Sequence, residues 1–149
     1  MVSAKELSKL GLFEGVPESK LEEFAPKWEE LNVKAGEEIF CEGCEAEYFY
    51  VLLEGNISLW MRLTSRPESL VLGVINKFGQ SFGWSVIVSK GHYTASAEAK
   101  EDSKIITVKG EDFREFLRSD KVIGFDIAMR MVEVVSSRLR YYRVLLKTF

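Results

Sequence analysis

The sequence predicts a mainly β protein of the α+β class, in which an antiparallel double-stranded β-helix, or jelly roll, is flanked by helices at both ends. Two observations support this fold class. Apolar residues recur at helical spacing before residue 29 and after residue 110, but alternate with a period of two between them. Frequent turn signals divide the alternating part into short runs, which is typical of barrels and jelly rolls. A chain of 149 residues suits one domain with a sizeable core.

Residues 1–29 are predicted to form the N-terminal helices, which would cover one end of the roll. Pro17 suits the first turn of a helix that begins at Glu18, because its fixed backbone angle is already helical. Leu21, Phe24 and Trp28 then fall on one face of that helix.

Residues 30–109 are predicted to form the β-roll. The run Tyr48–Leu53 is dense in strand-forming residues, and Glu54-Gly55-Asn56 is a turn signal after it. Alternating apolar residues follow at 57–63, 70–74 and 95–99, and 105–108 is a further strand-like run. The pattern therefore predicts short antiparallel strands joined by tight turns.

Residues 110–149 are predicted to be helical, with a short helix from Glu111 to Arg118 and a long one from about Val122 to Phe149. Apolar residues of the long helix step by three and four over more than three heptads, which predicts a coiled-coil seam between two copies of the chain. A second row would pack on the roll. The alternative is a helix packed wholly on its own domain. The seam comprises Phe125, Ala128, Val132, Val135, Leu139, Tyr142, Leu146 and Phe149, and the second row Ile127, Met131 and Val134.

The stretch Phe78–Ala97 is the best candidate for a binding site. It holds three glycines and ends in small residues, between two strand-like segments. Glycine lets the backbone approach a ligand closely, so the amides of residues 82–85 could form an anion-binding nest. The alternative is a tight loop that only caps the roll.

The motif Gly-x-x-Phe-Gly at residues 79–83, followed by Thr94-Ala95, resembles the phosphate-binding cassette of the cyclic-nucleotide-binding domain family. That family includes the catabolite-activator (Crp/Fnr-like) regulators and the regulatory subunits of protein kinase A. The resemblance implies the same β-roll, dimerisation through the C-terminal helix and a ligand site in the cassette. The implied ligand-binding residues are Phe82, Gly83, Trp84, Ser85, Tyr93, Thr94 and Ala95.

Two positions depart from the cassette of the family. Trp84 stands where the family has the Glu that holds the ribose 2′-hydroxyl, and Tyr93 stands where it has the Arg that pairs with the cyclic phosphate. A charge-assisted hydrogen bond contributes about 1.5–3 kcal/mol, so its loss costs roughly one to two decades of affinity. The sequence therefore predicts weak binding of cAMP and cGMP, and a ligand that is more aromatic and less anionic.

Cys41-Glu42-Gly43-Cys44 is a C-x-x-C motif on a predicted β-turn. We expect the spacing to be incidental, with a reversible disulfide or half of a metal site as alternatives. His92 is the only histidine of the chain, and this excludes the multi-histidine metal centre of catalytic cupins, which share the roll. The sequence predicts no catalytic residues, no metal site and no cofactor.

Charge and hydropathy exclude several partners. The net charge of −3 gives no general attraction to nucleic acid. Transcription factors of the family add a helix-turn-helix after the long helix, whereas this chain stops at Phe149, so direct DNA binding is not expected. No apolar run approaches 18 residues and no signal peptide is evident, so no membrane span and a cytoplasmic location are expected. The cations of the long helix are expected on coiled-coil flanks and solvated faces, with contact to nucleic acid or an acidic partner as the alternative. They are Arg130, Arg138, Arg140, Arg143 and Lys147.

These observations together predict a non-enzymatic, dimeric regulatory or sensor module that binds a small molecule and acts on a separate effector protein. A true cyclic-nucleotide receptor with a changed cassette is the leading alternative. The others are a structural dimerisation module whose pocket is closed by Trp84 and a redox sensor that uses Cys41 and Cys44.

Overall fold

The computed structural model of the chain describes residues 1–88 and 91–148. Ser89 and Lys90 of the predicted cassette stretch, and Phe149 of the predicted seam, lie outside the described residues. The N-terminal segment contains two short α-helices, α1 (Ala4–Ser8) and α2 (Glu18–Phe24), each followed by a single 3₁₀ turn.

Within residues 1–88 and 91–148, eight strands form two four-stranded antiparallel sheets, which confirms the predicted β-roll. The first sheet has the strand order β1-β8-β3-β6 and the second β2-β7-β4-β5. The strands are β1 (Glu29–Val33), β2 (Glu38–Phe40), β3 (Tyr48–Glu54), β4 (Ile57–Arg62), β5 (Ser69–Ile75), β6 (Ser81–Phe82), β7 (Ser96–Ala99) and β8 (Ser103–Lys109).

The core lies between the two sheets and continues into an aromatic cluster beneath the N-terminal helices. Phe49 of β3 is fully buried and packs edge-on against both Trp28 and Phe113. Phe13 and Phe24 complete the cluster. Buried aromatic pairs of this geometry stabilise a fold by about 0.5–1.5 kcal/mol each beyond their burial. The N-terminal helices therefore close one end of the roll, as predicted.

A four-residue helix, α3 (Ser85–Val88), lies within the cassette. Among the described residues after β8, the chain forms α4 (Gly110–Ser119) and α5 (Lys121–Leu146). Asp120 separates α4 from α5 and caps α5, because its carboxylate accepts hydrogen bonds from the N–H groups of Val122 and Ile123, both at 3.1 Å. Helix α5 thus begins one residue before the predicted start and ends at Leu146.

Two residues of the predicted second row of α5 pack on the domain, whereas the dimer seam remains a prediction. Ile127 and Met131 are buried against the domain, whereas Phe125 and Val132 of the predicted seam are 64% and 54% exposed in the single chain. Within the described residues, no helix is both long and apolar enough to cross a membrane.

Candidate ligand-binding site

A cavity of about 350 Å³ lies where the cassette, the second sheet and α5 meet. Every predicted site residue except Phe82 lines the cavity, and Phe82 is fully buried in the hydrophobic core. The lining residues are Gly83, Trp84, Ser85, Tyr93, Thr94 and Ala95 from the cassette, Phe40, Leu59 and Leu72 from the sheet, and Val135, Arg138, Leu139 and Tyr142 from α5.

Gly83 gives the cassette its shape. Its φ of +80° is a backbone conformation that side-chain-bearing residues rarely adopt. A Cβ at this position would also lie 3.0 Å from the ring of Tyr50 and 3.1 Å from the carbonyl oxygen of Tyr48. Glycine is therefore required for the turn that leads from β6 into α3.

Helix α4 supports α3 from behind. The guanidinium of Arg114 donates a hydrogen bond to the carbonyl of Val86. The backbone of Gly110 lies so close to α3 that a Cβ there would stand 2.6 Å from the Cβ of Val86. These contacts fix the position of the cassette backbone along the cavity.

Trp84 forms one wall of the cavity. Its indole packs edge-on against Phe49, with 5.2 Å between the ring centroids, and its Nε1–H donates to the carbonyl of Ser81 at 3.3 Å. The side chain is half-buried, so part of the ring faces the cavity. It offers a ligand an aromatic surface where the family has a carboxylate.

Tyr93 is anchored in the roll and is only 5% exposed. Its hydroxyl donates to the carbonyl of Tyr48 at 2.7 Å and accepts from the N–H of Tyr48 at 3.1 Å, while its ring stacks on Phe40 at 3.9 Å. The hydroxyl proton of Tyr93 is thus given to the carbonyl of Tyr48 and not to the cavity.

Burial also raises the pKa of the Tyr93 hydroxyl above its ordinary value, although its hydrogen bonds to the backbone at Tyr48 act in the opposite direction. The pKa of neighbouring Tyr50 is raised as well, chiefly by burial and then by Tyr93. Both phenols are therefore neutral at ordinary pH and add no charge to the cavity.

Arg138 is the functional candidate that sequence reasoning missed. Its guanidinium lies 5.9 Å from the centre of the Trp84 ring and donates a hydrogen bond to the carbonyl of Ser81. Burial lowers the pKa of Arg138 from its ordinary value, but a guanidinium remains charged at any ordinary pH. Among the described residues it forms no ion pair. The prediction of a solvated cation is wrong, because α5 turns this side chain toward the cassette.

Cys41 and Cys44 lie on a turn beside the cavity, and their sulfur atoms are bonded as a disulfide. His92 is exposed and pairs with Glu45 through an isolated β-bridge, next to Tyr93. Within residues 1–88 and 91–148, no group of three or more His, Cys, Asp or Glu side chains is placed to hold a metal ion.

The sequence profile of the cyclic nucleotide-binding domain matches residues 30–120, which is more than half of the chain, so the chain belongs to that family. The resemblance read from the cassette is thereby confirmed. A curated relative, the CRP-like cAMP-activated global transcriptional regulator of Mycobacterium tuberculosis, is 24% identical over 136 residues. The alignment covers 90% of this chain but only 57% of that relative.

Solved structures show the same fold. A cyclic nucleotide-binding domain from Methylobacillus flagellatus KT has a TM-score of 0.79 at 16% identity, covering 96% of this chain and 80% of that one. The regulatory subunit of a cAMP-independent protein kinase A from Trypanosoma cruzi, bound to guanosine, has a TM-score of 0.74 at 19% identity and covers 95% and 48%. The protein therefore has the fold of cyclic nucleotide-binding regulatory domains.

Proposed function

We propose that residues 1–149 form one non-enzymatic sensor domain that dimerises through α5, binds a small flat molecule in the cassette cavity and acts on a separate effector protein. The observation that carries this proposal is an open cavity in which Trp84 and Tyr93 replace the Glu and the Arg that bind the nucleotide in the family. The cavity volume of about 350 Å³ lies within the usual range of small-molecule sites, roughly 300–1,000 Å³.

The lining supports a flat and largely apolar ligand. Aromatic rings of Phe40, Trp84, Tyr93 and Tyr142 and aliphatic side chains make up most of the walls. Among the described residues that line the cavity, Arg138 is the one cationic side chain. A cation that is partly desolvated without an acidic partner costs free energy, and an anionic group of a ligand would relieve that cost. A flat aromatic molecule whose negative group lies at Arg138, rather than at the cassette backbone, therefore suits the cavity best.

Cyclic nucleotides suit it less well, because the described residues of the cassette offer their phosphate no ionic partner. Tyr93 is neutral and its hydroxyl proton is already donated to Tyr48. Trp84 cannot accept a hydrogen bond from a ribose hydroxyl, since an indole N–H only donates. We expect cAMP and cGMP to bind no tighter than high micromolar, in line with the loss of charge-assisted bonds.

The alternative is a genuine cyclic-nucleotide receptor, which the name of the cAMP-activated relative favours. The trypanosomal structure, named as cAMP-independent and bound to guanosine, supports a flat aromatic ligand without a cyclic phosphate. Cyclic AMP, cyclic GMP, adenosine and guanosine thus make an informative first set of probes.

The test is a thermal-shift screen of these four probes and a panel of flat carboxylates, followed by calorimetric titration of any hit. A ligand at 100 times its Kd stabilises the fold by about 2.7 kcal/mol, which is readily measured. Wild-type Trp fluorescence, with Trp84→Phe as the control, then reports whether the hit occupies the cavity. Micromolar binding of cAMP or cGMP would favour the receptor alternative, and no hit at all would favour a structural dimerisation module.

A further inference from the structure

The turn Cys41–Cys44 carries chemistry that the proposed ligand site does not use. The Cα atoms of the two cysteines are 5.4 Å apart, which is the usual separation across a disulfide. Cys44 is exposed and Cys41 half-buried, so small reagents can reach the pair. A bridge that closes so short a loop constrains the unfolded chain little. The bridge is therefore expected to add little to the stability of the fold.

Backbone hydrogen bonds join this turn to the wall of the ligand cavity. The N–H of Gly43 donates to the carbonyl of Tyr93 at 2.8 Å, and the N–H of Tyr93 donates to the carbonyl of Cys44 at 2.9 Å. Phe40, which directly precedes Cys41, stacks on the Tyr93 ring at 3.9 Å. Phe40 and Tyr93 both line the cavity, so the turn is joined directly to two of its walls.

We propose that Cys41 and Cys44 form a reversible redox site for low-molecular-weight thiols and disulfides, and that its state adjusts the neighbouring cavity. In oxidation, the Cys44 thiolate attacks a reagent disulfide, whose S–S bond breaks and releases one thiol. Cys41 then attacks the Cys44 sulfur of the mixed disulfide and releases the second thiol. The two cysteines lose two electrons and two protons, and the reagent gains them as two thiols. Reduction by a small dithiol reverses these steps.

Coupling between the two sites is reciprocal. If oxidation changes the affinity for a cavity ligand tenfold, saturating ligand must shift the midpoint potential of the cysteine pair by about 30 mV. This consequence rests on the proposed ligand site, whereas the formation of the bridge and its effect on the Tyr93 backbone do not.

The first experiment measures the formation of the bridge and its effect on the Tyr93 backbone, in the whole protein without any ligand. Protein reduced with dithiothreitol should contain two titratable thiols; after oxidised glutathione it should contain none and weigh two mass units less. Amide hydrogen exchange is then compared between the two forms. We expect exchange at Gly43 and Tyr93 to differ several-fold. The N–H of Lys100, which donates to Asn56 elsewhere in the roll, should not change. Cys41→Ser with Cys44→Ser should fold normally and show no response to glutathione.

Stable glutathione adducts in place of the internal bridge would overturn the redox site. Equal exchange at Tyr93 in both forms would overturn the coupling. The second experiment titrates guanosine into the oxidised and the reduced protein and is expected to give a several-fold difference in Kd. Equal affinities would overturn the effect on the cavity. If guanosine binds neither form, the failure lies with the ligand proposal for that probe. The thiol titration then decides the redox site, and amide exchange decides its coupling to the wall of the cavity.

Discussion

At the scale of single residues, Tyr93 shows how one substitution changes the role of a position in the cassette. Its side chain is drawn into the roll by a hydroxyl that pairs with both backbone groups of Tyr48. The position thereby stabilises the fold and lines the cavity with a neutral ring. Replacement of this residue is therefore expected to affect stability before it affects binding.

Tyr93→Phe should lower the free energy of unfolding by about 1–3 kcal/mol, because the backbone groups of Tyr48 lose a hydrogen-bond partner. Tyr93→Arg with Trp84→Glu should cost several kcal/mol and restore no binding of cAMP, since an unpaired charge would enter a buried site. Urea denaturation and calorimetric titration measure the two effects. Tyr141→Phe, at an exposed position of α5, is the matched control. Micromolar cAMP binding by the double variant would show that the cassette has lost only its ionic partners.

Arg138 leads to a second prediction at this scale. Wild-type protein should bind indole-3-carboxylate about tenfold more tightly than indole-3-carboxamide, because only the acid carries a charge for the guanidinium. Arg138→Gln should remove most of that difference while changing amide binding little. Arg140→Gln, on the exposed side of α5, should preserve it. Equal Kd values for acid and amide on the wild type would contradict the role given to Arg138.

At the scale of secondary-structure elements, the packing of α5 on α4 depends on one residue without a side chain. A Cβ at Gly124 would stand 2.0 Å from the carbonyl oxygen of Leu117, whose backbone cannot move aside locally. This close approach fixes the angle at which α5 leaves the domain, and hence where Arg138 meets the cassette.

Gly124→Ala should destabilise the protein by about 1–3 kcal/mol through overpacking, even though Ala is the better helix former by roughly 1 kcal/mol. Gly11→Ala is the matched control, because no atom lies within 4 Å of a Cβ built there. Chemical denaturation of both variants gives the comparison. An unchanged or raised stability of Gly124→Ala would mean that α5 adjusts freely on α4.

The elements could be predicted from local periodicity, and so could the cassette that lines the cavity. The helical spacing of Ile127 and Met131 predicts a buried helix face, and the alternation of residues 57–63 predicts a strand. Arg138 could not be predicted as a site residue, because its direction depends on how α5 docks on residues more than fifty positions away. Tyr93 was predicted as a site residue, but the anchoring of its hydroxyl on the backbone of Tyr48, 45 residues distant, could not be predicted from local sequence.

At the scale of the whole molecule, the cavity and the predicted dimer seam share residues. Val135, Leu139 and Tyr142 belong to the seam and also line the cavity. A partner helix packed on this seam would therefore lie beside the bound molecule. Occupancy of the cavity and the geometry of the dimer are expected to influence each other for this reason.

The last prediction concerns the dimer itself. Phe125→Glu with Val132→Glu should convert the protein to a monomer, because the two changes bring like charges together in an apolar seam. These positions are better suited than Val135 and Leu139, since neither lines the cavity and ligand binding remains measurable. Val144→Glu is the matched control, an equally exposed apolar residue off the seam. Sedimentation equilibrium should show dimers for the wild type and for Val144→Glu, but monomers for the double variant. A wild-type protein that stays monomeric at high micromolar concentration would contradict the seam and leave α5 as a cover for its own cavity.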